Sequence, residues 1–350
     1  MNIFSKKFIA YFFSVSLFFL GLEFGSRLVF TDYSKAPVLS PVGYSSDEID
    51  ANLPLFLKEN GQECIHINNK FNWNQWWGFS SKELDFKCAK NLFAEKDLTI
   101  VFMGGSVIAG AGVINYKTSI DFYATNNLKN FASINLAESG ARHKNMSIRF
   151  QREIIPLNPK IVFFIDGFNE FNSVRYGGSP LNDFYWSAGV RNRLHHPFSF
   201  YIDKLIEVSK FAEALLVRTG FYSSARIASN KTSITDIQES ANIYLNDVKV
   251  TKALCDSYKI KCFFIIQPQI FYSNIDEHND IINKSSKIFP NFKNENIYGF
   301  ESIIKNCNFC IDYSELLMNQ SNTFYDPVHF GKHGNYILGK KFETLIKTLN

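Results

Sequence analysis

From Leu98 onward, short apolar runs alternate with longer stretches of helical periodicity. The runs Leu98–Met103, Ser133–Leu136, Lys160–Ile165, Lys261–Ile266 and Cys310–Tyr313 read as strands. Between them, stretches near Ser119–Lys129, Lys144–Ile155, Asp236–Tyr258 and Ile297–Lys305 read as helices, and a last helix covers about Gly334–Leu349. In Asp236–Tyr258, Ile237, Ala241, Tyr244, Val248 and Leu254 fall on one face. Strands separated by helices imply βαβ units with right-handed crossovers and a parallel sheet. The predicted fold class is therefore α/β, a three-layer α/β/α sandwich. Residues Phe171–Thr235 are too long for a simple connection and form an insertion after the third strand.

The amino-terminal pattern differs. Lys6 and Lys7 precede an apolar run from Phe8 to Leu22, after which come Glu23, Arg27 and a further apolar stretch, Leu28–Phe30. A basic flank before such a run targets a chain to a membrane with its N-terminus in the cytoplasm. The run alone has the length of a signal peptide. It spans a bilayer only by including Glu23 and Arg27, which lie one helical turn apart and can pair. No small-x-small cleavage site follows, so an uncleaved anchor is favoured over a removed signal. Either way the body of the protein is expected outside the cytoplasm, periplasmic or at the cell surface, and secreted if the segment is cleaved.

Residues 1–30 are thus an anchor or signal, 31–95 a stalk with an irregular packing segment, and 96–350 the main domain. Thr31–Asn91 lacks strong periodicity and carries Pro37, Pro41 and Pro54. Its Trp73, Trp76 and Trp77 suit a hydrophobic lid or docking surface better than a sugar platform.

Composition narrows the picture. With 46% apolar and 20% charged residues the chain is globular, and its net charge of +4 is spread out with no basic stripe, so nucleic acid is not an expected partner. The 36 phenylalanines are many for 350 residues, with no functional reading attached. Six cysteines, Cys64, Cys88, Cys255, Cys262, Cys307 and Cys310, form an even set compatible with disulfides in an oxidising compartment. Cys307 and Cys310 form a lone CxxC that lacks both the second pair a structural zinc site wants and a thioredoxin context, so buried or locally bridged cysteines are expected.

One stretch carries candidate chemistry: Thr99–Gly112, TIVFMGGSVIAGAG. A buried strand runs into Gly104 and Gly105, which suit a tight turn, and Ser106 sits at its mouth, where open α/β sheets hold ligands. A phosphate loop requires Lys-Ser/Thr after the last glycine, and here Val113 follows Gly112. The dinucleotide fingerprint fails because Gly104, Gly105, Gly110 and Gly112 have the wrong spacing. What remains is a plain glycine turn or a nucleophilic serine, and the latter needs a base and oxyanion donors from elsewhere.

Three further stretches lie at or beyond strand carboxyl ends: Asn135–Gly140, Asp166–Glu170 and Asp326–His329. In a doubly wound sheet those ends converge on one crevice. His329 is suited to take the proton of the Ser106 hydroxyl, and Asp326 to hold the ring Nδ1–H and stabilise the imidazolium. The oxyanion of a tetrahedral intermediate needs fixed donors, each worth about 10²–10³ in rate. Candidates are the backbone N–H groups of Ser106 and Gly140 and the Asn169 amide. As plain structure, Gly140 reads as a turn residue and Asn169 as a helix cap.

The ordered set MGGS, AESGA, DGFNE and DPVHFGKHGNYILG resembles the four blocks of the SGNH (GDSL-type) hydrolase superfamily. The resemblance covers about Leu98–Leu349, and WGFSSKEL, ending at Leu84, resembles a Gly-Phe segment of some membrane-anchored members. It implies a flavodoxin-like sheet, with Ser106 as nucleophile, His329 as base, Asp326 as its orienter, and Ser106, Gly140 and Asn169 as oxyanion donors. The residues themselves call for neither metal nor organic cofactor. Two positions depart from the pattern: Gly105 stands where the family has Asp, and Glu170 where it has the shorter Asp.

Such a site performs acyl transfer. The expected function is a serine esterase hydrolysing O-acyl, above all O-acetyl, esters on an envelope or secreted carbohydrate. The alternatives are an O-acyltransferase that moves acetyl onto a polysaccharide and a non-catalytic envelope-assembly protein that keeps the fold. In the insertion, Tyr176, Phe184, Tyr185 and Trp186 form its own small core or a sugar-stacking face. His195, His196, Arg191 and Arg193 read as solvated surface, with an anionic-substrate patch as the other reading.

Overall fold

The computed structural model describes residues 21–22, 62–74, 78–110, 116–171, 174, 209, 233–286 and 291–349. The chain divides into two units, Met1–Val38 with Gly189–Ile227, and Leu39–Ala188 with Ala228–Asn350. The described residues lie almost wholly in the second. Trp76, Trp77, the insertion aromatics named above, Arg191, Arg193, His195 and His196 lie outside them, as does the amino-terminal apolar run apart from Gly21 and Leu22. Among the described residues no helix is long and apolar enough to cross a membrane.

Five strands form the central sheet: β3 (Leu98–Gly104), β4 (Phe131–Asn135), β5 (Ile161–Asp166), β6 (Lys261–Ile266) and β7 (Ile311–Asp312). Their order is β4-β3-β5-β6-β7 and every pairing is parallel. This is the flavodoxin-like order, whose switch point lies between β3 and β5. The expected α/β sandwich is observed. On one side lie α3 (Ile120–Thr125) and α8 (Lys332–Lys347), packed on each other; on the other, α5 (Ile234–Ser257) packs on α4 (His143–Arg149) and α7 (Phe292–Asn306). The expected helix Lys144–Ile155 is broken: α4 passes into a π turn over Phe150–Ile154 and a 3₁₀ turn over Ile155–Leu157 that contains Pro156.

Phe102, Phe131, Phe163, Phe164, Phe263 and Phe264 stand on these strands. Successive side chains of a strand point to opposite faces, so Phe163 and Phe164 serve different layers. Phe163 stacks between its register partners Phe102 and Phe263, at centroid distances of 5.3 and 5.0 Å, and on Phe342 of α8 at 4.9 Å. Phe164 stacks on its partner Phe264 at 5.2 Å and meets Phe150 edge-on at 5.5 Å. Rings ranked along neighbouring strands bury large apolar area and gain from their mutual geometry.

The segment before β3 is more regular than its composition suggests. An antiparallel hairpin pairs β1 (Ile65–Asn74) with β2 (Gly78–Leu84), and α1 (Phe86–Ala94) follows, capped by Asp85, whose carboxylate accepts the Cys88 N–H. The hairpin is fastened to the sheet domain: Glu138 Oε1 accepts the Lys82 N–H at 2.9 Å, and Arg149 Nη2 donates to the Lys82 carbonyl at 2.7 Å. A further helix, α6 (Asp276–Ser286), lies between β6 and α7. Disulfides join Cys64 to Cys88, Cys255 to Cys262 and Cys307 to Cys310, so the CxxC pair is locally bridged.

Candidate active site

The nucleophile candidate sits where β3 stops. A Cβ on Gly104 would lie 2.0 Å from the Ile165 carbonyl oxygen, so the turn passes against β5 too closely for any side chain. Ser106 then opens the short helix α2 (Ser106–Ala109), which Gly110 closes.

The base candidate arrives from the far edge of the sheet. After β7 the chain runs over residues 313–331 before entering α8, and the bridged, buried Phe324 and Phe330 pin the loop's end. Between them, Asp326 Oδ1 accepts the backbone N–H groups of Val328 and His329, both at 2.7 Å, which fixes a tight turn. That turn brings the second carboxylate oxygen to His329 Nδ1 at 2.6 Å, and His329 Nε2 lies 2.7 Å from Ser106 Oγ. Ser106, His329 and Asp326 therefore form one unbroken chain.

Protonation states follow from these partners. Burial would raise the Asp326 carboxyl, but the His329 imidazole and the two backbone donors outweigh it and hold it below the usual carboxylate range. An ionised carboxylate only accepts, so Nδ1 carries the proton. In the neutral ring, the Nε2 lone pair is then left to accept from the Ser106 hydroxyl. The side chains of His329 and Asp326 are 22% and 19% exposed, so the site is open to a substrate.

The remaining candidates flank the same turn. Gly140 has φ 76°, a conformation that favours glycine, directly before the segment leading into α4. Asn169 follows β5 and its amide nitrogen donates to the Ala141 carbonyl at 2.9 Å. A Cβ on Gly105 would lie 2.6 Å from that nitrogen and 3.6 Å from the Ala141 oxygen. The neighbours of Ser106 and Gly140 thus both border the Asn169 amide. Among the described residues the N–H groups of Ser106 and Gly140 donate to no acceptor. Asn169 begins a 3₁₀ turn, Asn169–Phe171, with its amide turned to another segment. The arrangement offers a hydroxyl with a proton acceptor on one side and amide donors beside it, the requirements of acyl transfer.

The structure adds a buried polar cluster that sequence patterns do not single out. His143 Nδ1 lies 2.6 Å from Asp166 and Arg142 Nε 2.9 Å from Glu170, with every one of these side chains at most 3% exposed. Burial would push the His143 imidazole down, but the Asp166 charge and hydrogen bond, with Glu170 and Asp247, hold it above its ordinary value. The only sequence signal was that Asp166 and Glu170 frame the Asn169 loop.

No protein-family model matches the chain, and no curated protein does. Among solved structures the chain is similar to an acetyl xylan esterase at 13% identity, covering 71% of this chain and 100% of the other, with a TM-score of 0.39. It is similar to a lipase/acylhydrolase from Enterococcus faecalis at 14% identity, over 72% and 96% of the two chains, with a TM-score of 0.39. A catalytic mutant of an acetylxylan esterase from Geobacillus stearothermophilus matches at 12% identity, over 71% and 93%, with a TM-score of 0.35. Likeness at this level leaves the chemistry of the site to its own residues.

Proposed function

We propose that this protein is a serine esterase that hydrolyses small O-acyl esters. The hydrogen-bonded chain Asp326–His329–Ser106 carries this reading. Ser106 Oγ attacks the ester carbonyl carbon while its proton passes to His329 Nε2, and Asp326 stabilises the imidazolium. The carbonyl oxygen, now an anion, takes hydrogen bonds from the Ser106 and Gly140 N–H groups and the Asn169 amide. Collapse breaks the bond to the alcohol, which leaves with the proton from Nε2. Water then attacks the acyl-serine by the same route, releasing the acid and restoring Ser106.

The proposal extends to O-acetyl groups on an envelope or secreted carbohydrate, met outside the cytoplasm by a domain tethered through its amino-terminal segment. Disulfide pairing of all six cysteines supports such a compartment. In the test, the purified protein is given p-nitrophenyl acetate and an acetylated glycan, and Ser106 is probed with a fluorophosphonate. Ser106-dependent acetate release and labelling are expected. A Ser106→Ala variant as active as the wild type would overturn the assignment. Acetyl transfer to an added glycan with little acetate release would turn it to the transferase reading.

A further inference from the structure

Asn169 and Gly140 belong to separate segments, one after β5 and one after β4. An oxyanion hole built from both works only if their spacing is held before the substrate arrives. A donor about 1 Å out of place loses much of its effect. Three successive links set that spacing. The Asn169 amide donates to the Ala141 carbonyl at 2.9 Å. The next residue, Glu170, reaches across with both oxygens: Oε1 accepts the His143 N–H at 2.7 Å and Oε2 the Arg142 Nε at 2.9 Å. At the end of β5, Asp166 accepts from His143 Nδ1 at 2.6 Å and from the Tyr244 hydroxyl at 2.8 Å. The far side of the same imidazole, Nε2, lies 3.0 Å from Thr251 Oγ1 on α5.

Resting on the esterase reading, we propose that Glu170, with the His143–Asp166 pair behind it, is a positioning residue that presets the separation of the Gly140 and Asn169 oxyanion donors. Buried charges are expensive to desolvate, and apolar packing often holds a fold equally well. What a charged lacing adds is directional geometry, here confined to residues within three positions of the two donors. Length matters as well as charge. The methylene by which Glu170 exceeds Asp is what carries its carboxylate to the far segment. Gly105 fits the same design, because the absent Cβ leaves room for the Asn169 amide so held.

Glu170→Asp keeps the charge and withdraws the reach, and none of the residues proposed to touch substrate is altered. With p-nitrophenyl acetate, kcat is expected to fall about 10–10²-fold with KM within about twofold, a loss confined to the transition state. The inhibition constant of a boronic acid, which forms an anionic tetrahedral adduct on Ser106, is expected to worsen by a similar factor. A merely structural role would lower the thermal midpoint without that split. Should Glu170→Asp fail to fold, Glu170→Gln, which keeps the reach to the His143 N–H and gives up the bond from Arg142, is read by the same criterion. Unchanged kcat in a folded variant, or a fall carried by KM, overturns the proposal. A wild-type protein with no Ser106-dependent turnover overturns the esterase reading instead, and this one with it.

Discussion

The ring of Tyr325 lies parallel to that of His329, with centroids 5.6 Å apart and planes at 13°, and the Tyr325 N–H donates to the His329 carbonyl at 3.2 Å. The imidazole is thereby held at three places: on its face, at Nδ1 by Asp326 and at Nε2 by Ser106. Removing the face contact leaves both hydrogen bonds possible but lets the ring rock. Tyr325→Ala is expected to lower kcat about 10-fold, whereas Tyr325→Phe, which keeps the ring, stays near wild type. Steady-state kinetics on p-nitrophenyl acetate distinguishes these outcomes, and equal losses in both variants would remove the stack from the account.

Gly105 is open to a sharper test. A Cβ at this position meets the Asn169 amide at 2.6 Å, so Gly105→Ala must shift that amide. The candidate oxyanion donor Asn169 is then displaced while the triad candidates stay intact. The expected loss in kcat approaches the about 10²-fold that follows removal of one such donor. Fluorophosphonate labelling of Ser106 should slow in parallel. Full activity in Gly105→Ala would exclude Asn169 from the oxyanion hole.

How much of this was legible in the chain depends on what kind of force made each element. The strands β3 and β5 are almost wholly apolar runs, and burial on both faces leaves such runs few alternatives. The site candidates were legible because they stand at strand ends, which topology gathers however far apart they lie in sequence. The hairpin was not. Its first strand, IHINNKFNWN, alternates at Ile65, Ile67, Phe71 and Trp73, but Asn69 breaks the period, its four asparagines read as loop, and its pairing with β2 shifts register between Ile67 and Asn72. Helix α6, DEHNDIINKSS, is too polar for periodicity to stand out. The Arg142–Glu170 and His143–Asp166 pairs were hidden for another reason: a charge pattern in sequence reads as surface, and only the fold shows these four buried against one another.

The stacked phenylalanines give a prediction about stability rather than chemistry. Phe163 is fully buried and touches rings from two neighbouring strands and from α8. Truncating it removes a large apolar side chain and leaves a cavity that three rigid rings cannot easily collapse into. Phe163→Ala is expected to cost about 3–5 kcal/mol, against under about 1.5 for Phe163→Leu where repacking is possible. Urea unfolding with a shared slope measures both. A cost below about 1 kcal/mol for the alanine variant would mean that the ranked rings add little to the sheet.

Glu343 on α8 supplies a pH test with a definite sign. Burial works against its charge, but hydrogen bonds from Lys340 at 2.6 Å, Lys347 at 2.7 Å and Asn127 at 3.1 Å hold its carboxyl down to about 2. Its ordinary value, 4.5, applies in the unfolded chain. A carboxyl depressed on folding adds stability above the unfolded value, and that stability drains away as pH falls toward the folded one. The two lysines are partly exposed, so screening keeps the gain modest, and added salt should shrink it further. Unfolding midpoints of wild type and Glu343→Gln are compared from neutral pH down to the acid limit of folding. The wild-type advantage should be steady at neutral pH and begin to narrow as the pH passes below about 5. A difference that stays flat through that range would show that the three donors pack against Glu343 without holding its charge.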